Sequence, residues 1–360
     1  MTVHPTITPR SGVLEISPYV GGAAKAAGVT RVFKLSSNEN PLGPSEKAKE
    51  ACRRAAASLE LYPDGGHTDL RHAIAKQHGL DADRIVCGSG SDEIISLLCN
   101  AYSGPGDEVL HSQYGFLMYA ISAKAAGATP VWAAERNMTT DVDALIAAIT
   151  PDTRLVFVAN PNSPTGTMVP LEELERLAEE LPSHVLLVLD GAYAEFVEEY
   201  DGGARLVEAR ENVVMTRTFS KIHGLGALRL GWCYAPHHVV DVLNRVRGPF
   251  NVTVPALAAG EAAIQDSAWV EHCVAENAEW RAWTSAELTR LNIPVVPSHG
   301  NFVLAEIGDH AGDCADYLES QGVLVRKMDG YGLPRHLRIS IGTSEGCNAL
   351  IKSIRDWQGS

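Results

Sequence analysis

No stretch of this 360-residue chain is apolar for long enough to cross a bilayer. The longest uninterrupted aliphatic run, Val185 to Leu189, falls far short of the about 20 residues that a spanning helix needs. The opening residues, MTVHPTITPRSGV, hold no apolar stretch, so the expectation is that they form no signal peptide and that the protein is cytoplasmic. Cations are scarce: 30 Lys and Arg stand against 44 Asp and Glu, a net charge of −14. Such a balance argues against a nucleic-acid surface, which needs clustered Lys and Arg, but leaves room for an anion site built from a few local cations. The seven cysteines include no CxxC pair, so no zinc site or disulfide framework is expected and each reads as a small core residue. His67, His72 and His78 are not at ligand spacing with other donors, and no metal is expected. There is no GxGxxG after the first strand and no GxxxxGK[ST], which counts against a non-catalytic nucleotide-binding module.

What the chain does contain is a recurring unit: a short apolar run, a loop of Gly, Pro or Asn, then a helical pattern. The runs include residues 84–87, 108–110, 131–133, 155–158, 185–189 and 213–215, and helical patterns cover 92–102, 115–126, 141–149 and 171–181. Val-rich runs alternating with amphipathic helices predict βαβ units and a mostly parallel sheet buried on both faces. Ligands of such sheets sit outside the C-terminal ends of the strands. The texture changes near residue 250, with one long helical stretch over 254–291 and short strands at 301–304, 323–326 and 337–341. The division expected is an arm over 1–44 that contributes to a smaller domain, a large domain over 45–250, and a small α+β domain over 251–360.

Three features in the first two-thirds of the chain carry chemistry. Asp190 ends the run His184 to Leu189, and a carboxylate there is costly unless partnered. It reads either as a helix cap or turn residue, or as the partner of a cationic ring nitrogen. Arg217-Thr218-Phe219-Ser220-Lys221 follows the strand 212–215 and leads through a Gly-rich turn to Arg229. Lys221 therefore lies at the ligand end of the sheet, among hydroxyls, glycines and a second cation, a plausible anion cradle in which an amine can form a Schiff base. A second cradle, Cys87-Gly88-Ser89-Gly90-Ser91-Asp92-Glu93, follows a strand and opens a helix, whose N-terminus favours a phosphate.

Asn160-Pro161-Asn162-Ser163-Pro164-Thr165-Gly166, then Asp190-Gly191-Ala192-Tyr193, then Ser220-Lys221 with Arg229, resemble in order and spacing the signature of the fold-type I aminotransferases, enzymes of pyridoxal 5′-phosphate (PLP). Supporting segments are residues 38–44, 62–65, 88–93 and 337–343, and the likeness runs from Leu14 to about Ile354. The resemblance implies an α/β fold with a large domain around a mostly parallel seven-stranded sheet plus a smaller α+β domain. It implies that Lys221 carries the cofactor and shuttles a proton, that Asp190 pairs with the pyridinium nitrogen, and that Tyr193 bonds the phenolic oxygen. Tyr114 would stack on the ring, and Gly90, Ser91, Asp92, Thr218, Ser220 and Arg229 would surround the phosphate. Tyr62 would reach that phosphate from a second subunit of a homodimer. Arg338 would hold the substrate anion with Arg326 as a second cation, while Tyr19 and Asn38 belong to the arm over the substrate.

Two positions depart from the family pattern. Ser163 stands where an Asn usually bonds the phenolic oxygen, so that bond is weaker, passes through water or is taken by Asn162. Gly191 stands where an acidic residue is usual. The likeness is nearest to the branch acting on histidinol phosphate, which implies its transamination with 2-oxoglutarate in histidine biosynthesis. An aromatic amino acid as substrate remains open on the same scaffold, as does decarboxylation of a phosphorylated amino acid. The partners implied are therefore a small amine, a 2-oxo acid and a second copy of the chain.

Overall fold

The computed structural model describes residues 7–19, 21–26 and 28–359. Its centre is a sheet of seven strands: β1 (Ile85–Gly88), β2 (Glu108–Ser112), β3 (Thr129–Ala133), β4 (Thr153–Ala159), β5 (Leu186–Asp190), β6 (Val213–Thr218) and β7 (Gly231–Tyr234). Their order is β1-β7-β6-β5-β4-β2-β3. The pairings are parallel except those of β7, which runs antiparallel to both β1 and β6. The sheet is thus mostly parallel, as the Val-rich runs predict.

Alternation along β4 and β5 explains why these runs are apolar throughout. Val156, Val158, Leu187 and Leu189 pack into one core, while Leu155, Phe157, Leu186 and Val188 pack into another. Both faces are covered by helices, so each side chain leaves water, contributing about 1.5–3 kcal/mol apiece. Helix α1 (Ser91–Tyr102) follows β1 and helix α2 (Leu117–Ala126) follows β2. β4, β5, β6 and β7 are neighbours in space as in the chain, and the C-terminal ends of β5 and β6 carry Asp190 and Thr218.

β7 was not among the expected strands. Four residues, Gly-Trp-Cys-Tyr, return the chain between β1 and β6, and Gly231 is required there. A Cβ on Gly231 would sit 2.3 Å from the Ser91 nitrogen, so only glycine lets β7 pass beneath the turn that opens α1.

Beyond residue 250 a second sheet forms from β8 (Val295–Val296), β9 (Phe302–Glu306), β10 (Arg326–Lys327) and β11 (His336–Ser340), in the order β8-β9-β11-β10. Here two expectations need correction. The single long helix is two, Val254–Ile264 and Ser267–Arg290, because Asp266 leaves the helical conformation and its carboxylate accepts from Lys47 at 2.7 Å. The strand expected at 323–326 is also split. Val323–Leu324 pairs in parallel with Phe33–Lys34 of the arm, and after Val325 the chain crosses to pair with β11. The arm is thereby stitched to the small sheet, which brings Ser36 to Asn38 over the ends of β5 and β6.

Candidate active site

A cavity of about 360 Å³ opens at the C-terminal ends of β5 and β6. Its walls include Asp190, Tyr193, Lys221, Arg229, Arg338 and Ser163, so side chains from both sheets and the arm converge on one space.

Asp190 is 4% exposed. Its Oδ2 accepts from the Tyr119 hydroxyl at 2.7 Å, and its Oδ1 accepts from Thr216 Oγ1 and the Ala192 amide, each at 3.2 Å. Burial pushes this carboxyl above the ordinary aspartate value, against the pull of those three donors. No ion pair reaches it among the described residues, so a cation entering the cavity would meet a carboxylate already oriented and short of a counter-charge.

Across the cavity, Lys221 Nζ lies 3.4 Å from the Ser37 carbonyl oxygen and 5.7 Å from the centre of the Tyr193 ring. The Tyr193 oxygen accepts from Asn38 Nδ2 at 2.9 Å and from the Ser163 hydroxyl. Burial raises the Tyr193 phenol, but the Lys221 and Arg338 cations together with those two donors outweigh it, and the net shift is below the ordinary tyrosine value. Asn38 itself sits at φ +54°, in the left-handed region that Asn tolerates, and is locked by Ser340 through bonds of 2.7 and 2.9 Å.

The third group is an anion cradle. Gly90, at φ +84°, caps α1 so that Ser91 and Asp92 border the cavity. A Cβ on Gly90 would lie 2.7 Å from Arg229 Nη2, and the same guanidinium reaches Asp92 at 2.9 Å and the Ser220 hydroxyl at 3.4 Å. Thr218, whose hydroxyl accepts from the Ser220 amide at 3.1 Å, completes the wall. Hydroxyls, a helix N-terminus and a guanidinium around one corner suit a phosphate.

Arg338 stands apart on β11. It is 9% exposed, and its Nη atoms donate to Ser163 Oγ at 3.2 Å and the Ser36 carbonyl at 3.1 Å. Nε is buried without a partner, and among the described residues no carboxylate is hydrogen-bonded to this cation. A buried guanidinium in that condition is prepared for an anion that arrives from solution.

Several expected residues fall elsewhere. Tyr114 does not line the cavity; Gly115 turns the chain so that Phe116 does, while Tyr114 packs with Leu304, Met328 and Leu333. Asn162 is turned away as well, its Nδ2 donating to Thr165 Oγ1 at 2.9 Å and to the Tyr114 carbonyl, which leaves Ser163 on the wall. Arg326 is not on the wall; it is the cross-strand neighbour of Arg338, and its guanidinium lies 5.8 Å from the ring of Tyr19, which is. Tyr62 lies outside this cavity, 82% exposed and stacked on Phe250. Two neighbours of the site were not among the expected residues: Phe116, on the cavity wall, and Tyr119, whose hydroxyl meets Asp190 and which the helical pattern presents only as a core position. His223 next to Lys221 is buried against Phe219 and does not line the cavity.

A lysine and a carboxylate in one cavity, beside a phosphate-type cradle and a free guanidinium, define an enzyme that works on amines through a bound carbonyl cofactor. Residues 30–354 match the family model for aminotransferase class I and II, and the chain belongs to that family. It is 58% identical to the histidinol-phosphate aminotransferase of Dinoroseobacter shibae, over 97% of each chain. It is 59% identical to that of Paracoccus denitrificans, over 97% of this chain and 95% of the relative. Its fold is similar to the crystal structure of histidinol-phosphate aminotransferase from Sinorhizobium meliloti in complex with pyridoxal-5′-phosphate, with a TM-score of 0.89, 25% identity and 99% of each chain covered.

Proposed function

We propose that this chain transaminates histidinol phosphate, with PLP as cofactor and 2-oxoglutarate as amino acceptor. The observation that carries the reading is the buried, anion-free Arg338 guanidinium on the wall of the cavity that holds Lys221 and Asp190. The relatives' names support the substrate.

The cavity fits the cofactor: a cradle for its phosphate at Ser91, Thr218, Ser220 and Arg229, a carboxylate for its ring nitrogen at Asp190, and an amine for its carbonyl carbon at Lys221. When bound, PLP supplies an electron sink for the carbon that loses a proton. The chain's own groups do the rest. Lys221 Nζ would hold the cofactor, and as a free amine it would carry the proton between the substrate carbon and the cofactor. Asp190 keeps a positive charge on the ring nitrogen. Tyr193, fixed by Asn38 and Ser163, holds the phenolic oxygen. Phe116, on the cavity wall, would cover the ring face. Arg338 takes the phosphate of one substrate and a carboxylate of the other in turn, its planar fork suiting both. Arg326, through Tyr19, adds charge when the anion is doubly negative. Tyr62 reaches the cradle of a second copy, so the working unit is a homodimer, and seven unpaired cysteines suit a reducing cytoplasm.

The test is kcat/KM for histidinol phosphate, phenylalanine and tyrosine, each with 2-oxoglutarate. The expected preference for histidinol phosphate is about tenfold or more: Arg338 pairs with a phosphate or a carboxylate alike, and the extra charge interaction with Arg326 is what separates the substrates. Equal or higher values for phenylalanine would assign the enzyme to aromatic amino acids instead. Arg326→Ala is expected to reduce kcat/KM for histidinol phosphate more than for phenylalanine.

A further inference from the structure

Tyr119 lies on α2 and belongs to no wall of the cavity, yet it touches the group on which the cofactor assignment turns. It is fully buried, and its hydroxyl donates to Asp190 Oδ2 at 2.7 Å, the shortest of the three bonds that Asp190 accepts. Its ring is held rigidly. It stacks on Phe157 of β4 at 4.6 Å with an interplanar angle of 11°, and it meets Phe116 edge-on at 5.9 Å and 89°. Phe116 lines the cavity, so one aromatic side chain braces both the carboxylate and the ring that borders the site.

We propose that Tyr119 is a positioning residue for the cofactor: its hydroxyl locks one oxygen of Asp190, so that the carboxylate keeps a single direction of approach for the ring nitrogen of PLP. The inference rests on Asp190 being the partner of that nitrogen.

The count of lone pairs supports it. A carboxylate has about four acceptor sites. Tyr119, Thr216 and the Ala192 amide occupy three of them, which leaves one for a donor in the cavity that Asp190 lines. The three donors also stabilise the charged carboxylate, without which a buried aspartate would keep its own proton and leave the ring nitrogen neutral. Burial first, and then the Asp190 charge, hold the Tyr119 phenol well above the ordinary tyrosine value, so it stays a donor at any working pH. A tyrosine placed only to fill the core would do none of this, and phenylalanine would fill the same space.

The experiment compares apoenzyme affinity for PLP and for its 1-deaza analogue, in which carbon replaces the ring nitrogen, in the wild type, Tyr119→Phe and Asp190→Asn. The wild type should prefer PLP, and Asp190→Asn should abolish that preference. Tyr119→Phe should reduce the preference about tenfold, the scale of one hydrogen bond to a charged group, while binding the deaza analogue within about twofold of wild type. A wild type without preference, or an Asp190→Asn protein that keeps it, would refute the role of Asp190 and the inference with it. If Asp190→Asn behaves as expected but Tyr119→Phe keeps the full preference, or weakens both ligands equally, the role of Asp190 survives and that of Tyr119 is overturned. The absorption band of bound PLP followed against pH supplies a second readout: it should shift in Tyr119→Phe, and an unshifted band counts against the proposal.

Discussion

Replacing Arg338 by methionine separates a residue kept for binding from one kept for folding. In the free protein the guanidinium is 9% exposed and makes two bonds, to Ser163 Oγ at 3.2 Å and the Ser36 carbonyl at 3.1 Å, with Phe302 beneath it at 5.5 Å. Two such bonds contribute about 1–1.5 kcal/mol each. Burying a cation without a counter-ion costs several kcal/mol, so the balance for the free protein is close to zero or unfavourable. Methionine fills a similar volume and has no charge to desolvate. The apoenzyme of Arg338→Met should therefore melt at or slightly above the wild-type temperature. Binding is different, because the substrate anion then enters a pocket stripped of the buried guanidinium that Arg338 offers it. Truncating one member of a buried charge pair costs about 3–5 kcal/mol, roughly a 10²- to 10⁴-fold loss in kcat/KM. Thermal melting of the apoenzyme and steady-state kinetics with histidinol phosphate read the two quantities independently. A variant that loses several degrees while keeping its activity would refute the reasoning, since Arg338 would then be a structural residue.

Other consequences follow from the same geometry. Ser163→Ala removes a donor from the Tyr193 oxygen, so the phenol should titrate higher in apoenzyme with ring-labelled tyrosine, and an unmoved titration would exclude the bond. Phe116→Ala should weaken PLP binding by about 2 kcal/mol, roughly 30-fold, whereas Tyr114→Ala should lower the melting temperature and leave PLP affinity nearly unchanged. Burial holds His67 down at about 4, and His78 and His223 at about 3, against 6.5 when unfolded. Each is kept neutral by folding, so its contribution is complete above pH 6.5 and is lost as pH falls from 6.5 toward 3. At pH 5 the loss should be about 2 kcal/mol per histidine, measurable by denaturant unfolding, and a flat stability between pH 7 and 5 would contradict their burial.

Much of the site can be read in the chain because its chemistry is tied to strand ends. Asp190 and Lys221 follow continuous apolar runs, and a charge placed directly after a buried parallel strand emerges on the ligand side of the sheet. The cradle is legible only beside Lys221 and Asp190, since Gly-Ser-Gly-Ser-Asp between a strand and a helix is by itself an ordinary turn and cap. What was illegible depends on which way a side chain turns. Tyr114 and Phe116 flank Gly115, and only the backbone turn decides which ring borders the cavity. Asn162 and Ser163 pose the same question inside a Pro-rich loop, and the Thr165 hydroxyl settles it by capturing the amide. Tyr119 looks like any apolar position of a helix until the 71-residue separation from Asp190 is closed. β7 escaped because four residues of mixed character carry no periodicity, and the break at Asp266 because neither Pro nor Gly marks it.

The central claim is that Lys221 and Asp190 grasp one cofactor between them. Borohydride reduction of the PLP-loaded enzyme, followed by peptide mass mapping, tests it most directly. The account predicts a single stoichiometric label on Lys221, reduced in the Asp190→Asn protein at limiting PLP. Label distributed over other lysines, or a label on Lys221 whose yield ignores Asp190, would contradict it.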